Sequence, residues 1–214
     1  PSNPAGYLPY QLNTPVVYDD HKIYFGGWVD SRRLGNWSKY YCYYDNGTKC
    51  WERNATHGGG YYWAGAAVIG DYLVYGDDAG WLTSVNKYNG LTNDELNVSS
   101  AFGVSVNEIR SSVTYIEETG RIYFTSKGGY IYSLGVNSDG TFDTTNKLYA
   151  SIGYSTSTPA VYNGKVYVGS TGKLNCLYAN NLTMDWPFTV NGQVQSSPAI
   201  STAYDDGDGE VYIY

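Results

Sequence analysis

The densest group of acidic side chains is the run Asp-Asp-Gly-Asp-Gly-Glu at residues 205–210. Calcium takes several oxygen ligands from loops that glycine makes flexible, and this run offers both. The candidate calcium ligands are Asp205, Asp206, Asp208 and Glu210. The run departs from the D-x-D-x-D-G pattern, because Tyr204 stands where the first aspartate belongs and Glu210 follows Gly209 directly. A calcium site and a solvated hairpin turn both stay open, and we favour the turn.

A second candidate site is rich in aromatic and basic side chains and lies between residues 28 and 63. Its first part, residues 28–38, is longer than the corresponding loops elsewhere in the chain, and long loops on a rigid scaffold often carry binding function. Arginine beside tryptophan and tyrosine is typical of protein interfaces, whereas exposed rings can also stack on sugars. The candidate binding residues are Trp28, Arg32, Arg33, Trp37, Tyr61, Tyr62 and Trp63.

The run that begins at His57 and continues with three glycines also invites a catalytic interpretation. No serine, cysteine or aspartate can be paired with His57 from the sequence, and a single histidine is weak support for catalysis. Glycine runs that bind phosphate open a helix, and no helix is predicted here. We therefore predict no catalytic residue and expect this run to link two repeats.

The three cysteines, Cys42, Cys50 and Cys176, are too few for a disulfide scaffold and lack zinc-ligand spacing. A three-residue loop at 45–47 would place Cys42 opposite Cys50 across a hairpin. Cβ atoms of opposed residues lie ~4.5–5.5 Å apart, against ~3.8 Å in a disulfide, so a bridge between them needs some strain. The disulfide Cys42–Cys50 stays open.

The composition excludes several classes of protein. The 214 residues carry a formal charge of −7, with 25 Tyr and 26 Gly. Nucleic-acid binding needs clusters of Lys and Arg that this chain lacks, and no apolar run approaches the ~20 residues of a membrane span. The chain begins Pro1-Ser2 rather than with Met, so we expect that an upstream segment has been removed or left out.

Five N-x-Ser/Thr tripeptides are candidate glycosylation sites. They begin at Asn36, Asn46, Asn54, Asn97 and Asn181. Several are expected by chance in a chain this rich in Asn, Ser and Thr, and they matter only in a host that glycosylates secreted proteins. Acidity, few lysines and abundant small polar residues predict an extracellular or cell-surface location.

The elements that must position these residues are repeated along the chain. Each repeat has a first segment such as Thr158-Pro159-Ala160-Val161, then an alternating segment such as residues 165–169. The first segments are residues 14–17, 65–68, 111–114, 158–161 and 197–200, and the second are 22–26, 72–76, 121–125, 165–169 and 210–214. Alternation of period two predicts strands, and Asn163-Gly164 predicts a tight hairpin between the two segments.

A third and a fourth strand follow in each complete repeat, as in Lys39–Tyr43 and Lys49–Trp51. Four short antiparallel strands in about 40–50 residues are typical of a propeller blade. A column of small residues on the third strands, where we expect close packing of sheet on sheet, contains Cys42, Ser84, Ser133 and Cys176. The tyrosines Tyr24, Tyr123, Tyr167 and Tyr212 recur at one place in the second strands.

This pattern resembles the repeat of the PQQ-like (quinoprotein-like) β-propellers, whose blades read approximately S-P-V-V, G-K-V-Y-V-G-S and G-K-L-Y. Residues 157–170 match it best, and the resemblance covers about residues 14–214. It implies an all-β propeller with blades at about 14–63, 64–110, 111–156 and 157–195 and an incomplete fifth at 196–214. Residues 1–13 form an extension that could supply a closing strand.

Enzymes of this family resemble one another in an adjacent Cys-Cys disulfide, a calcium-binding set and a catalytic aspartate. No adjacent cysteine pair exists here, so we expect a non-enzymatic member without a cofactor. The expected function is a binding or scaffold module with protein or carbohydrate partners. The alternatives are a self-assembling surface subunit, whose partner is a further copy of the chain, and a fragment of a quinone-dependent dehydrogenase. We expect a fragment of a longer propeller, with completion by association or by the N-terminal strand also open.

Overall fold

The structure is a computed structural model that describes residues 11–28, 38–203 and 211–214. Strands follow one another in chain order within each antiparallel sheet. The first sheet contains β1 (Val17–Asp19), β2 (Lys22–Gly26), β3 (Lys39–Tyr44) and β4 (Lys49–Asn54), and the second contains β5 (Ala67–Ile69), β6 (Tyr72–Gly76), β7 (Trp81–Asn86) and β8 (Thr92–Asn97). The third contains β9 (Thr114–Ile116), β10 (Arg121–Thr125), β11 (Tyr130–Val136) and β12 (Phe142–Ser151). The prediction of an all-β chain with four-stranded antiparallel sheets is confirmed.

The fourth sheet consists of β13 (Ala160–Tyr162), β14 (Lys165–Tyr178) and β15 (Met184–Gln193). The side-chain amide of Asn175 donates to the carbonyl of Val168 at 3.1 Å and to the hydroxyl of Ser170 at 2.9 Å. Extended backbone would separate residues 168 and 175 by about 23 Å. Strand β14 therefore doubles back, and the reversal falls at Gly172, whose φ is +74°. A short pair, β16 (Ile200–Ser201) and β17 (Tyr212–Ile213), follows.

The turns between first and second strands vary more than the sequence suggested. Asn163 and Gly164 have φ of 46° and 72°, which confirms the predicted tight hairpin, and Asp20 and His21 form the same kind of turn at 45° and 58°. Both residues of such a turn need positive φ, which Asn and Gly adopt most readily. In the third sheet, residues 117–119 instead form a 3-10 turn that ends at Gly120.

The core forms where consecutive sheets pack face to face. Tyr24 and Tyr40 of the first sheet pack with Leu73 and Tyr75 of the second. The second and third sheets share the largest apolar cluster, and Tyr123 and Ile131 of the third pack with Val166 and Val168 of the fourth. The small residues Cys42, Ser84, Ser133 and Cys176 are all buried.

The predicted register around the cysteines was wrong. Cys42 lies opposite Trp51, because an irregularity between Cys42 and Tyr43 shifts the pairing so that Tyr43 faces Lys49. Cys50 therefore has no residue directly opposite, and all three cysteines are free thiols. Burial, together with a hydrogen bond to Cys50, raises the pKa of the Cys42 thiol, so the two side chains are neighbours despite the shifted register. A disulfide between them stays a prediction.

One short helix was not predicted from the sequence. Helix α1 (Val98–Phe102) joins the second and third sheets, with the Asn97 side chain accepting from the Ser100 N–H and Gly103 ending the helix. Val98 and Phe102 are buried against the core that these sheets share. In the part of the chain that the structure describes, no helix has the length and apolar character to cross a membrane.

Candidate functional site

A ladder of hydrogen bonds joins the starts of consecutive sheets. The Gly65 N–H donates to the Ser112 hydroxyl at 3.2 Å, and the Ser112 N–H donates to that of Thr158 at 2.9 Å. The Thr158 N–H donates in turn to the Ser197 hydroxyl at 3.0 Å. Each hydroxyl thus accepts from the equivalent residue of the preceding sheet. The recurring Ser/Thr of the repeat is therefore the residue that connects neighbouring sheets.

Pro15 and Gly65 occupy the first two places of this ladder. Proline has no N–H that would need an acceptor, and glycine has no hydroxyl that would need a donor. The step from Pro15 to Gly65 therefore requires no hydrogen bond of this kind. A Cβ on Gly65 would lie 2.5 Å from the Ser112 hydroxyl oxygen and 3.3 Å from Pro15 Cγ. Gly65 is therefore required by the close approach of its two neighbours.

Beside this ladder lies a cavity of about 460 Å³. It is bounded by residues from the segments that precede the first strand of each sheet. The lining residues are Leu12, Asn13, Thr14, Pro15, Trp63, Ser112, Thr156, Thr158, Gln195, Ser196 and Ser197. These described lining residues are uncharged, and their polar side-chain groups are hydroxyls and amides. We call it the hydroxyl cavity.

Trp63 is the one aromatic side chain among the described residues of that lining, and its backbone is unusual. Its φ is 60°, in the left-handed region that bulky residues rarely adopt, and its side chain is 40% exposed. The Gly65 N–H donates to the Trp63 carbonyl at 3.1 Å, and the Tyr62 ring lies 4.7 Å from the indole between ring centroids. These contacts hold the indole at the cavity.

An ion-pair cluster lies next to Tyr62. The Arg110 guanidinium donates to both carboxylate oxygens of Asp78, at 2.8 and 2.9 Å, and lies 4.7 Å from the centre of the Tyr62 ring. The Trp28 indole N–H donates to Asp78 at 3.2 Å, and the Trp28 ring contacts Tyr62 edge-on at 5.6 Å. Burial raises the pKa of Asp78 although Arg110 opposes the shift. Trp28 and Tyr62 therefore belong to a rigid support beside Trp63.

His57 has partners that sequence reasoning missed. Its Nδ1 lies 3.5 Å from Asp77, its Nε2 lies 3.4 Å from Glu95, and its ring stacks on Trp81 at 3.9 Å. Burial raises the pKa of Asp77, although the N–H groups of Trp81 and Ala79 and the nearby His57 favour its carboxylate. The paired aspartates Asp77 and Asp78 after the second strand were the available signal in the sequence, but the packing of sheets is what brings Asp77 to His57.

The other predicted binding residues separate into different environments. Tyr61 is only 2% exposed and contacts the stacked rings of Tyr40 and Tyr75 edge-on, so it is a core residue rather than a ligand contact. Arg32, Arg33 and Trp37 lie outside the described residues, as do Asn36 and the candidate calcium ligands Asp205, Asp206, Asp208 and Glu210. Within the described ranges, no group of three His, Cys, Asp or Glu side chains could hold a metal ion.

The four candidate glycosylation sites within the described residues lie in turns and at strand and helix ends. The side-chain carbonyls of Asn46 and Asn181 accept from backbone N–H groups two residues later, and both residues are exposed. Asn54 is exposed at the end of β4, and Asn97 caps α1. Use of any of these sites stays a prediction.

Comparison with known proteins defines the fold class. No protein-family model matches the sequence, and no curated protein is found as a relative. Among solved structures, BamB from Moraxella catarrhalis is similar with a TM-score of 0.65 at 14% identity, over 87% of this chain and 55% of that one. A europium-containing methanol dehydrogenase is similar with a TM-score of 0.65 at 12% identity, over 94% of this chain and 50% of that one.

The quinohemoprotein alcohol dehydrogenase ADHIIG from Pseudomonas putida HK5 is similar with a TM-score of 0.68 at 11% identity, over 97% of this chain and 39% of that one. This chain therefore spans about half the length of these structures or less. At such identities the similarity shows the fold alone. Together with the stacked antiparallel sheets, it confirms the resemblance to the PQQ-like β-propellers.

Proposed function

We propose that this chain acts as a non-enzymatic β-propeller module that binds its ligand at the hydroxyl cavity. The observation that carries the proposal is the exposed indole of Trp63, which is held by a left-handed backbone in an uncharged polar cavity. Strained backbone at a bulky residue persists where the surroundings impose it, and such positions cluster at binding sites. The protein presents this cavity at the cell surface to protein or carbohydrate partners.

The contacts of His57 favour a structural role over a catalytic one. Both ring nitrogens of His57 lie beside carboxylates and the ring stacks on Trp81, so the side chain is held within the structure. Its side chain is only 14% exposed. We assign His57 a structural role, in which it joins the link after the first sheet to the second sheet.

Array binding tests the proposal. Labelled wild-type protein and Trp63→Ala are applied to one array of glycans and one of peptides, with loss of an array signal in the variant as the expected result. A parallel assay with added quinone and Ca²⁺ should show no dehydrogenase activity. Turnover there, or array signals that do not depend on Trp63, would refute the proposed binding module.

A self-assembling surface subunit is the second candidate function, and one observation favours it. On the fourth sheet Met184, Trp186 and Phe188 are 42%, 40% and 61% exposed, whereas Trp51 at the equivalent place in the first sheet is 8% exposed. A second copy could cover these side chains as the second sheet covers Trp51. Light scattering after size exclusion tests this, and a stable monomer at high concentration would rule out assembly.

A further inference from the structure

We infer that the hydroxyl cavity binds a neutral carbohydrate, with a sugar ring stacked on the Trp63 indole. The inference rests on the proposed function and names its ligand class. A volume of about 460 Å³ falls within the ~300–1,000 Å³ of small-molecule sites. The exposed face of an indole offers the apolar, electron-rich surface on which the C–H groups of a sugar can lie.

The lining supplies directed donors for sugar oxygens. The hydroxyl oxygens of Ser112, Thr158 and Ser197 each accept a backbone N–H, as the ladder requires. A hydroxyl has one proton to donate and two lone pairs to accept with, so the proton of each remains for a further bond. These three hydroxyls therefore have fixed oxygens and protons that can be donated to a ligand.

Thr156 gives an independent indication of a ligand. It lines the cavity, is 6% exposed, and its hydroxyl oxygen is buried with no hydrogen-bond partner among the described residues. A buried polar group without a partner costs about 1–3 kcal/mol, and a ligand hydroxyl would recover part of that cost. Thr156, the exposed indole of Trp63 and the three donor residues all line one cavity.

Acceptors for sugar hydroxyls are also present, and the lining residues that the structure describes carry no charge. Asn13 and Gln195 use their amide N–H groups on Gln11 and Gln193, at 3.3 and 2.6 Å, which leaves their side-chain carbonyl oxygens to accept. Charged ligands would find no opposite charge among the lining residues. The mixture of donors and acceptors therefore favours neutral hydroxyl groups over phosphate, carboxylate or ammonium.

Isothermal titration with neutral oligosaccharides tests the inference. The probes are maltotriose, cellotriose, chitotriose and mannotriose, with sialyllactose and a tri-galacturonate as charged probes. We expect one neutral probe to bind, Trp63→Ala to weaken it at least about ten-fold, and Thr156→Val to weaken it several-fold. Trp186→Ala is the matched control, because Trp186 is equally exposed at 40% and lies outside the cavity; it should leave binding unchanged.

Folding defects are separated from site effects by two further measurements. Trp63→Phe keeps a ring and should retain part of the affinity, and the thermal midpoint of each variant is recorded. Binding of charged probes alone, no neutral binding, or equal binding by Trp63→Ala would overturn the inference. Peptide-array signals that depend on Trp63, without any sugar binding, would overturn it while the proposed binding module stands.

Discussion

Trp51 and Trp186 make a matched pair that tests how far one sheet is stabilised by the next. Both lie opposite a buried cysteine, Cys42 or Cys176, and both contact a tyrosine of the second strand at 6.1 and 6.2 Å. The Trp51 indole N–H donates to the Lys87 carbonyl of the second sheet at 2.9 Å. Trp186 has no such bond among the described residues, so removing it should cost much less.

The expected difference follows from burial and from that hydrogen bond. A tryptophan side chain presents roughly 250 Å². The exposures of 8% and 40% therefore differ by about 80 Å², which corresponds to roughly 2 kcal/mol at ~25 cal/mol per Å². The bond to Lys87 adds about 1 kcal/mol. Trp51→Ala should lower the free energy of unfolding by about 3 kcal/mol more than Trp186→Ala does.

Urea unfolding followed by far-UV circular dichroism measures both variants without relying on tryptophan fluorescence. Trp51→Phe should lose mainly the hydrogen bond and part of the contact area, and Trp186→Phe should be close to neutral. Equal losses for the two alanine variants in the monomer would refute the reasoning. A large loss for Trp186→Ala that depends on protein concentration would instead favour self-assembly.

Three further predictions concern the ion pair, the thiols and pH. Arg110→Met should cost roughly 2–4 kcal/mol in urea unfolding, because it removes the cation from the largely buried Asp78 carboxylate and leaves the neutral Trp28 N–H as its donor, and Asp78→Asn in the same chain should recover part of the loss. Mild oxidation should join Cys42 to Cys50, which non-reducing peptide mass mapping detects; persistence of both free thiols would exclude the disulfide. Burial raises the pKa of Asp77 in the folded protein above its ordinary value of 3.8. The protonated Asp77 side chain therefore contributes its full stability below about pH 3.8, and that stability is lost as the pH rises through the folded-state pKa. Asp77→Asn should flatten the fall in stability that urea unfolding measures as the pH rises above about 4, and an unchanged slope would contradict the assignment.

The repeat pattern in the sequence was enough to predict the sheets. Alternation at Lys22–Gly26 and Tyr72–Gly76, and the Asn163-Gly164 turn, are local features, and local backbone preferences act over a few residues. The column of small residues was also readable, because its members recur at one place in each repeat. The aromatic segment that contains Trp63 was identified, although its core and exposed rings were not distinguished.

Tertiary structure decided which side chains meet. The bulge after Cys42 moved Cys50 out of register, and sheet packing brought Asp77 to His57, which lies 20 residues earlier in the chain. The cavity depends most strongly on the packing of the sheets, because Trp63, Thr156 and Gln195 come from distant segments of the chain. Sequence periodicity specifies which face of a strand is apolar, but the distance between two repeats follows from how their sheets stack. The sequence therefore determined the kind of scaffold, and the stacking determined where it can bind.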